Sequence, residues 1–242
     1  MIKELTWDSA FFKRKIGELI PVSQKPSQIK NILDKAKEDG FEYISCKLKS
    51  QDIPLIKLLE SLGFYLTDIG VILGIETKYL AIPLFGRGGL GGILRRAKSV
   101  EVPTLEDIPA LKKIGKSLFL ASRFYSDPFF SKKEADGLYE AWIENSVKGQ
   151  AADIVFFIPR VGFITCRRSA NSGEIVLMGI KKGVRGKGFG TILVGEGMRW
   201  FREQEVKLIT VRTQLKNLGA LNFYIKLGFL PKEYDIILGK IL

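Results

Sequence analysis

The chain has 242 residues, 46% of them apolar, with 38 basic and 26 acidic side chains and no histidine, for a formal net charge of +12. That length exceeds one ordinary domain and supplies ample core, so two domains or one enlarged one are expected. The missing histidine excludes Ser-His triads, most catalytic zinc sites and the commonest general base at neutral pH, leaving acid-base work to Tyr, Glu, Asp, Lys, Cys or water.

The basic excess lies mainly beyond residue 97 and draws polyanions: nucleic acid, membrane phosphates or a ligand's diphosphate, among which composition does not choose. The longest apolar runs, at 79–85 and 175–180, fall well short of the ~20 residues of a membrane span, and the N-terminus lacks an apolar signal core. A globular, cytoplasmic protein without stable membrane insertion is therefore expected. Cys46 and Cys166 sit in apolar strand-like stretches with no metal-type neighbour; they read as buried free thiols, and no metal site is expected.

In chain order, the first half repeats the tail of the second. Setting residues 41–76 against 206–241 without a gap matches Ile44 with Ile209, Leu62-Gly63-Phe64 with Leu227-Gly228-Phe229, and Ile72-Leu73-Gly74 with Ile237-Leu238-Gly239. A strand, a helix, a Leu-Gly-Phe turn and a final strand fall in register, as internal duplication requires. The first copy carries Asp52 and Leu59 where the second has Asn217 and Tyr224, and it lacks a glycine loop. It reads as a scaffold or substrate-side wall, not a second active site.

Between residues 78 and 100 the chain turns rich in Gly and Arg and loses periodicity, as an interdomain connection does. Its Gly86-Arg-Gly88-Gly-Leu-Gly91 matches the dinucleotide pattern G-x-G-x-x-G, but Pro83 interrupts the run before it and strand character resumes at Val100 and Val102, so the required strand and full helix are missing.

Beyond it, residues 99–103 read as a strand, and Thr104 with early acids caps a helix to about 118. A second helix covers 132–147. Short β-rich runs at 154–158, 161–167 and 173–180 form an antiparallel meander. A glycine-rich loop, a helix over 190–204, a strand over 207–212, a helix over 218–227 and a strand over 234–238 complete the chain.

The strongest local signal is Arg185-Gly186-Lys187-Gly188-Phe189-Gly190-Thr191, between a strand and a helix. Its glycines let the backbone approach a ligand closely, and uncapped amides at the helix start form a positive nest for a diphosphate. Lys181 and Lys182 add charge nearby; a basic, flexible turn is the plain alternative.

Arg185-x-x-Gly188-x-Gly190 after an apolar strand resembles the pyrophosphate loop of GNAT acetyltransferases, and the element order from residue 99 onward is similar to that fold. The resemblance implies an α/β (α+β) fold: a mixed, mainly antiparallel central sheet flanked by helices, with a catalytic domain over 98–242 preceded by a degenerate half-GNAT domain and linker over 1–97. It implies acetyl-CoA as cosubstrate, held by the loop amides and by the strand at Met178, Gly179 and Ile180. Asn217 and Tyr224 are similar to the family's coenzyme-contacting Asn and its Tyr general acid. Plain aromatic packing is the competing role for Tyr224.

Segments spread along the chain, Leu5-Thr-Trp7-Asp-Ser-Ala-Phe11-Phe12, Ser122-Arg123-Phe124 and Ala141-Trp142-Ile143-Glu144-Asn145, resemble the bacterial TDP-fucosamine N-acetyltransferases. That resemblance implies a nucleotide-linked aminosugar as acceptor in polysaccharide biosynthesis, with Arg123, Phe124 and Trp142 as candidate substrate contacts, unless the two aromatics are core residues. Glu174 is a candidate carboxylate relay, though a water chain could serve a sugar amine instead. Acetylation of a protein or peptide amine or an aminoglycoside is the rival within the class, and a basic nucleic-acid-binding module the rival outside it. A diphosphate-bearing acceptor asks for a second basic site, for which Arg123 is a candidate, and the charge of +12 favours it. The basic residues are dispersed and form no recognised nucleic-acid motif, so no nucleic-acid partner is expected. A homodimer is compatible with this reading.

Overall fold

A computed structural model describes residues 1–21, 25–79, 100–116 and 118–242. The Gly86–Gly91 pattern and nearly all of the expected interdomain connection lie outside the described residues.

The first half contains β1 (Ile2–Glu4), α1 (Thr6–Phe12), β2 (Ile16–Leu19), α2 (Pro26–Glu38), β3 (Tyr43–Lys49), α3 (Ile53–Ser61) and β4 (Tyr65–Glu76). The second contains α4 (Ile108–Gly115), α5 (Arg123–Ser126), α6 (Lys132–Val147), β5 (Ile154–Ile158), β6 (Gly162–Ser169), β7 (Ser172–Ile180), α7 (Phe189–Glu203), β8 (Leu208–Gln214), α8 (Leu218–Lys226) and β9 (Leu230–Ile241). All the strands join one sheet in the order β1-β2-β3-β9-β4-β8-β7-β6-β5. Only β2–β3 and β7–β8 run parallel, so the sheet is mixed and mainly antiparallel, as expected.

Helix periodicity explains how the layers cover the sheet. In α7 the buried Ile192, Leu193, Met198 and Phe201 pack with Ile164 of β6 and Leu221 and Tyr224 of α8. Leu111 of α4 and Leu138 and Ile143 of α6 build a second core, to which the first half contributes Phe12, Ile16 and Tyr43. The third core lies under α2 and α3, with Leu33, Leu59 and Phe64. The α6 limits are as the sequence indicates: Ser131 and Glu134 form a capping box, the Glu134 amide donating to Ser131 Oγ at 3.2 Å.

The repeat is carried into the backbone. Each of β3, α3 and β4 begins and ends at the position aligned with β8, α8 and β9. The strands are exchanged: β9 lies between β3 and β4, and β4 between β9 and β8. Pairing is symmetric about Gly70↔Asp235, so that Tyr65↔Gly239 answers Gly74↔Leu230 and Leu66↔Leu238 answers Leu73↔Pro231. Even the bulges correspond, at Thr67 on β4 and Lys232 on β9. The turn glycines Gly63 and Gly228 share left-handed φ values of 84° and 90°. Residues 1–97 alone would therefore lack the strand that separates β3 from β4.

Three local expectations change. Of the expected strand over 99–103, among the described residues 100–103 only Glu101 pairs, exchanging two 2.9 Å backbone bonds with Phe157, because Pro103 has no amide to continue the ladder. The expected helix from Thr104 opens as a 3-10 turn over Leu105–Asp107 before α4, with the Thr104 amide donating to Asp107 Oδ2 at 2.8 Å. The last strand is longer at both ends than its apolar pattern, because β3 and β4 pair with it on both sides.

Asp127, directly after α5, is 2% exposed and ties the two halves together. It accepts bonds from the Tyr43 hydroxyl at 2.5 Å, the Tyr65 hydroxyl at 2.9 Å and the Phe129 amide at 3.0 Å. Burial pushes both tyrosines up from their ordinary pKa, keeping them as donors. Asp127→Ala strands the fully buried Tyr43 hydroxyl, and about 2–4 kcal/mol of stability should be lost. Chemical denaturation checks this; a loss below about 0.5 kcal/mol contradicts the tie.

Candidate active site

The site originates in a strand separation. β7 and β8 stay in register from Ser172↔Leu208 to Ile175↔Val211 and then part. At the same level β7 carries one extra residue against β6: Thr165 faces Leu177 and Cys166 faces Ile175, leaving Val176 in a bulge. The Leu177 amide is satisfied by Thr165 Oγ1 at 2.9 Å. A bulge bends its strand. Here a cleft of about 730 Å³ opens between the ends of β7 and β8.

At one end of the cleft lies the glycine loop. Gly186 and Gly188 take left-handed φ values of 75° and 85°, and Gly188 is the N-cap of α7. Among the described residues no side chain caps this helix, and no backbone acceptor takes the amides of Phe189, Gly190 or Thr191. Those amides and the helix dipole suit a diphosphate. A Cβ on Gly190 would stand 3.1 Å from both Met178 Cε and Phe223 Cζ, so this position has little room for a side chain. Arg185 Nε donates to the Ile180 carbonyl at 2.9 Å, bracing the loop on β7. Beyond Ile175 the edge of β7 that faced β8 has no partner strand among the described residues, leaving Met178–Ile180 open to an extended ligand. Glycine turns, free amides and an open strand edge together fit the diphosphate and pantetheine arm of acetyl-CoA.

α8 brings the polar residues of the middle. Asn217 caps it, Oδ1 accepting from the Ala220 amide at 3.3 Å while Nδ2 donates to Thr213 Oγ1 at 3.4 Å. Tyr224 lies two turns on, 4% exposed, with its ring edge-on to Phe223 and Phe229 at 5.1 and 5.4 Å. Its hydroxyl donates to Met178 Sδ at 3.3 Å, a weak acceptor that a better one can displace. Burial, followed by Cys166, pushes its pKa up, so it is a protonated donor throughout the neutral range.

At the other end are Arg123 and Phe124 of α5, Tyr139 and Trp142 of α6, Phe119, and Arg212 of β8. Phe119 stacks on Tyr139 at 4.4 Å, and Tyr139 on Trp142 at 6.0 Å, making an aromatic wall. Glu174 is exposed at the rim. Asp68 of β4, from the first half, is buried here; burial holds its carboxyl above the ordinary range, against the opposing effects of Arg212, Lys216, the Ile69 amide and Arg123.

The cleft thus gathers Met178, Gly179, Ile180, Arg185, Gly186, Gly188, Phe189, Gly190, Thr191, Asn217, Tyr224, Arg123, Phe124, Trp142 and Glu174. Lys187 is the exception, exposed and outside the lining between two left-handed glycines. Sequence reasoning missed Asp68, Tyr139 and Arg212. None stands in a motif, and only strand exchange brings Asp68 beside β8.

Residues 121–229 match the family described as acetyltransferase (GNAT). That match covers 109 of the 242 residues and supports a GNAT acetyltransferase domain in the second half of the chain. The chain is similar to the dTDP-fucosamine acetyltransferase of Escherichia coli O6:H1, with 26% identity over 94% of this chain and 92% of that one. The spore coat polysaccharide biosynthesis protein SpsD of Bacillus subtilis strain 168 is 26% identical over 57% of this chain and 50% of its own. Among solved structures, a tandem GNAT protein from the clavulanic acid biosynthesis pathway shares the fold, with a TM-score of 0.63 and 11% identity over 93% of this chain and 75% of that one.

Proposed function

We propose that the protein moves the acetyl group of acetyl-CoA to the amino group of a nucleotide-activated aminosugar of the dTDP-4-amino-4,6-dideoxyhexose type, in the cytoplasm. The observation that carries this is the second end of the cleft, where an aromatic wall for a ring stands beside the cations Arg123 and Arg212. The whole-length similarity to a dTDP-fucosamine acetyltransferase supports the same acceptor.

In this reading the α7 amides and the glycine loop hold the diphosphate, and the free edge of β7 aligns the pantetheine arm. An amide near Ile180 polarises the thioester carbonyl. The acceptor's neutral amine attacks the carbonyl carbon, so that a C–N bond forms and the C–S bond breaks. Tyr224 gives its proton to the departing sulfur and regains one from solvent. The proton released from the nitrogen leaves through water, with Glu174 as relay. Residues 1–97 form a degenerate half-copy, their β2–β3 pair corresponding to β7–β8 but without the glycine loop.

Calorimetry on the full chain should find one acetyl-CoA site per chain, with binding raising the melting temperature by mass action; a second site overturns the half-copy reading. The acceptor is tested by thiol release from acetyl-CoA across nucleotide aminosugars, peptides and aminoglycosides. A preferred peptide or aminoglycoside overturns the sugar-nucleotide assignment.

A further inference from the structure

Two buried groups of opposite charge meet at the acceptor end of the cleft, one of them with a hydrogen-bond donor that has no partner among the described residues. The Asp68 carboxylate, beside the Thr67 bulge on β4, belongs to a residue only 6% exposed that lines the cleft. Arg212 lines it from β8. Its Nε donates to Asp235 Oδ2 at 3.3 Å, but its buried Nη2 has no hydrogen-bond partner among the described residues and stays 3.9 Å from Asp68 Oδ2. That separation exceeds hydrogen-bond reach.

The arginine is also fixed in place. It lies across Gly70, where a Cβ would stand 2.1 Å from Nη2, and Asp235 is held in turn by Lys47 at 2.9 Å. An unpaired donor costs free energy in a buried setting, and the neighbouring carboxylate, which takes the Ile69 amide, has lone pairs for a further donor. A ligand group that both donates and accepts removes that cost. A hydroxyl does so, its O–H donating to Asp68 while its oxygen accepts from Arg212 Nη2. A neutral amine nucleophile suits the pair less well, because its one lone pair is committed to the thioester carbon.

We propose that Asp68 and Arg212 are a hydroxyl-recognition pair for the acceptor, through which the first half of the chain supplies a specificity determinant to the cleft. The assignment rests on the acceptor being a sugar, and it names the feature of that sugar which is read.

The test compares kcat/KM for dTDP-4-amino-4,6-dideoxygalactose with that for its 2-deoxy and 3-deoxy forms. In the wild type, removing the recognised hydroxyl should cost roughly 10²-fold or more, because the buried pair is left unfilled. In Asp68→Ala that preference should fall below about tenfold, mainly through KM for the hydroxylated acceptor, with acetyl-CoA affinity unchanged. If Asp68→Ala no longer binds acetyl-CoA, Asp68→Asn, which keeps the shape and removes the charge, should lower the same ratio at least about tenfold.

A ratio retained in the variant, or a wild type indifferent to both hydroxyls, overturns the pair. A wild type that acetylates only a peptide also overturns it. Preference for an aminoglycoside sinks the sugar-nucleotide reading alone, since the ratio can then be measured on that acceptor's deoxy forms. No turnover on any amine overturns both.

Discussion

In Tyr224→Phe, single-turnover acetyl transfer should slow by roughly 10²–10⁴-fold, the usual contribution of one general acid. The reason is local. The Tyr224 hydroxyl donates to Met178 Sδ of β7, its one hydrogen bond among the described residues, and burial raises its pKa. The phenylalanine ring keeps the packing on Phe223 and Phe229, so stability should change by no more than about 1 kcal/mol. Acetyl-CoA affinity should move little, because the proton is needed as the C–S bond breaks and not in the ground state. The sign of the pH dependence follows: Tyr224 loses its proton only well above its ordinary range, so it should cause no fall in rate on the alkaline side of neutrality. A variant with near wild-type single-turnover rates would move the proton to another donor and leave Tyr224 as a packing residue.

Gly188→Val should weaken acetyl-CoA binding by at least about tenfold, measured by calorimetry on protein shown to be folded. Gly188 has φ at +85°, a region that a β-branched residue enters only with strain of roughly 1–3 kcal/mol. The loop can relieve that strain by turning the peptide at the start of α7, which moves the Phe189 and Gly190 amides off the diphosphate. A loss of 1.4 kcal/mol is already tenfold in affinity. Wild-type affinity in a folded variant would place the diphosphate elsewhere. Lys187, outside the lining, gives the internal comparison: Lys187→Ala should change affinity by less than about threefold, by weakening a screened surface field alone.

Much of the glycine-loop end of the cleft was legible in the chain because its determinants are local. Left-handed turns select glycine at 186 and 188, an N-cap selects Asn217, and the interval from Asn217 to Tyr224 is two turns of one helix. The repeat was legible for the same reason: Leu62-Gly63-Phe64 and Leu227-Gly228-Phe229 each end a helix through a left-handed glycine.

At the other end of the cleft Arg123, Phe124 and Trp142 were legible, but the meeting of Asp68 and Arg212 was not, because it depends on which strand lies beside which. β4 and β9 are aligned copies that share Ile-Leu-Gly, and nothing local decides which neighbours each takes. The exchange of strands is a property of the assembled sheet, and it alone carries Asp68 to Arg212. The opening of the cleft is likewise tertiary. The Val176 bulge is defined against β6, and no feature of residues 172–180 by themselves marks where β7 must leave β8. By itself the sequence determined most of the elements, the left-handed glycine turns and the shared helix of Asn217 and Tyr224, each specified by backbone conformation within a few residues. The three-dimensional pairing of distant strands decided what faces them, since a strand's hydrogen bonds are satisfied by whichever neighbour the whole core permits.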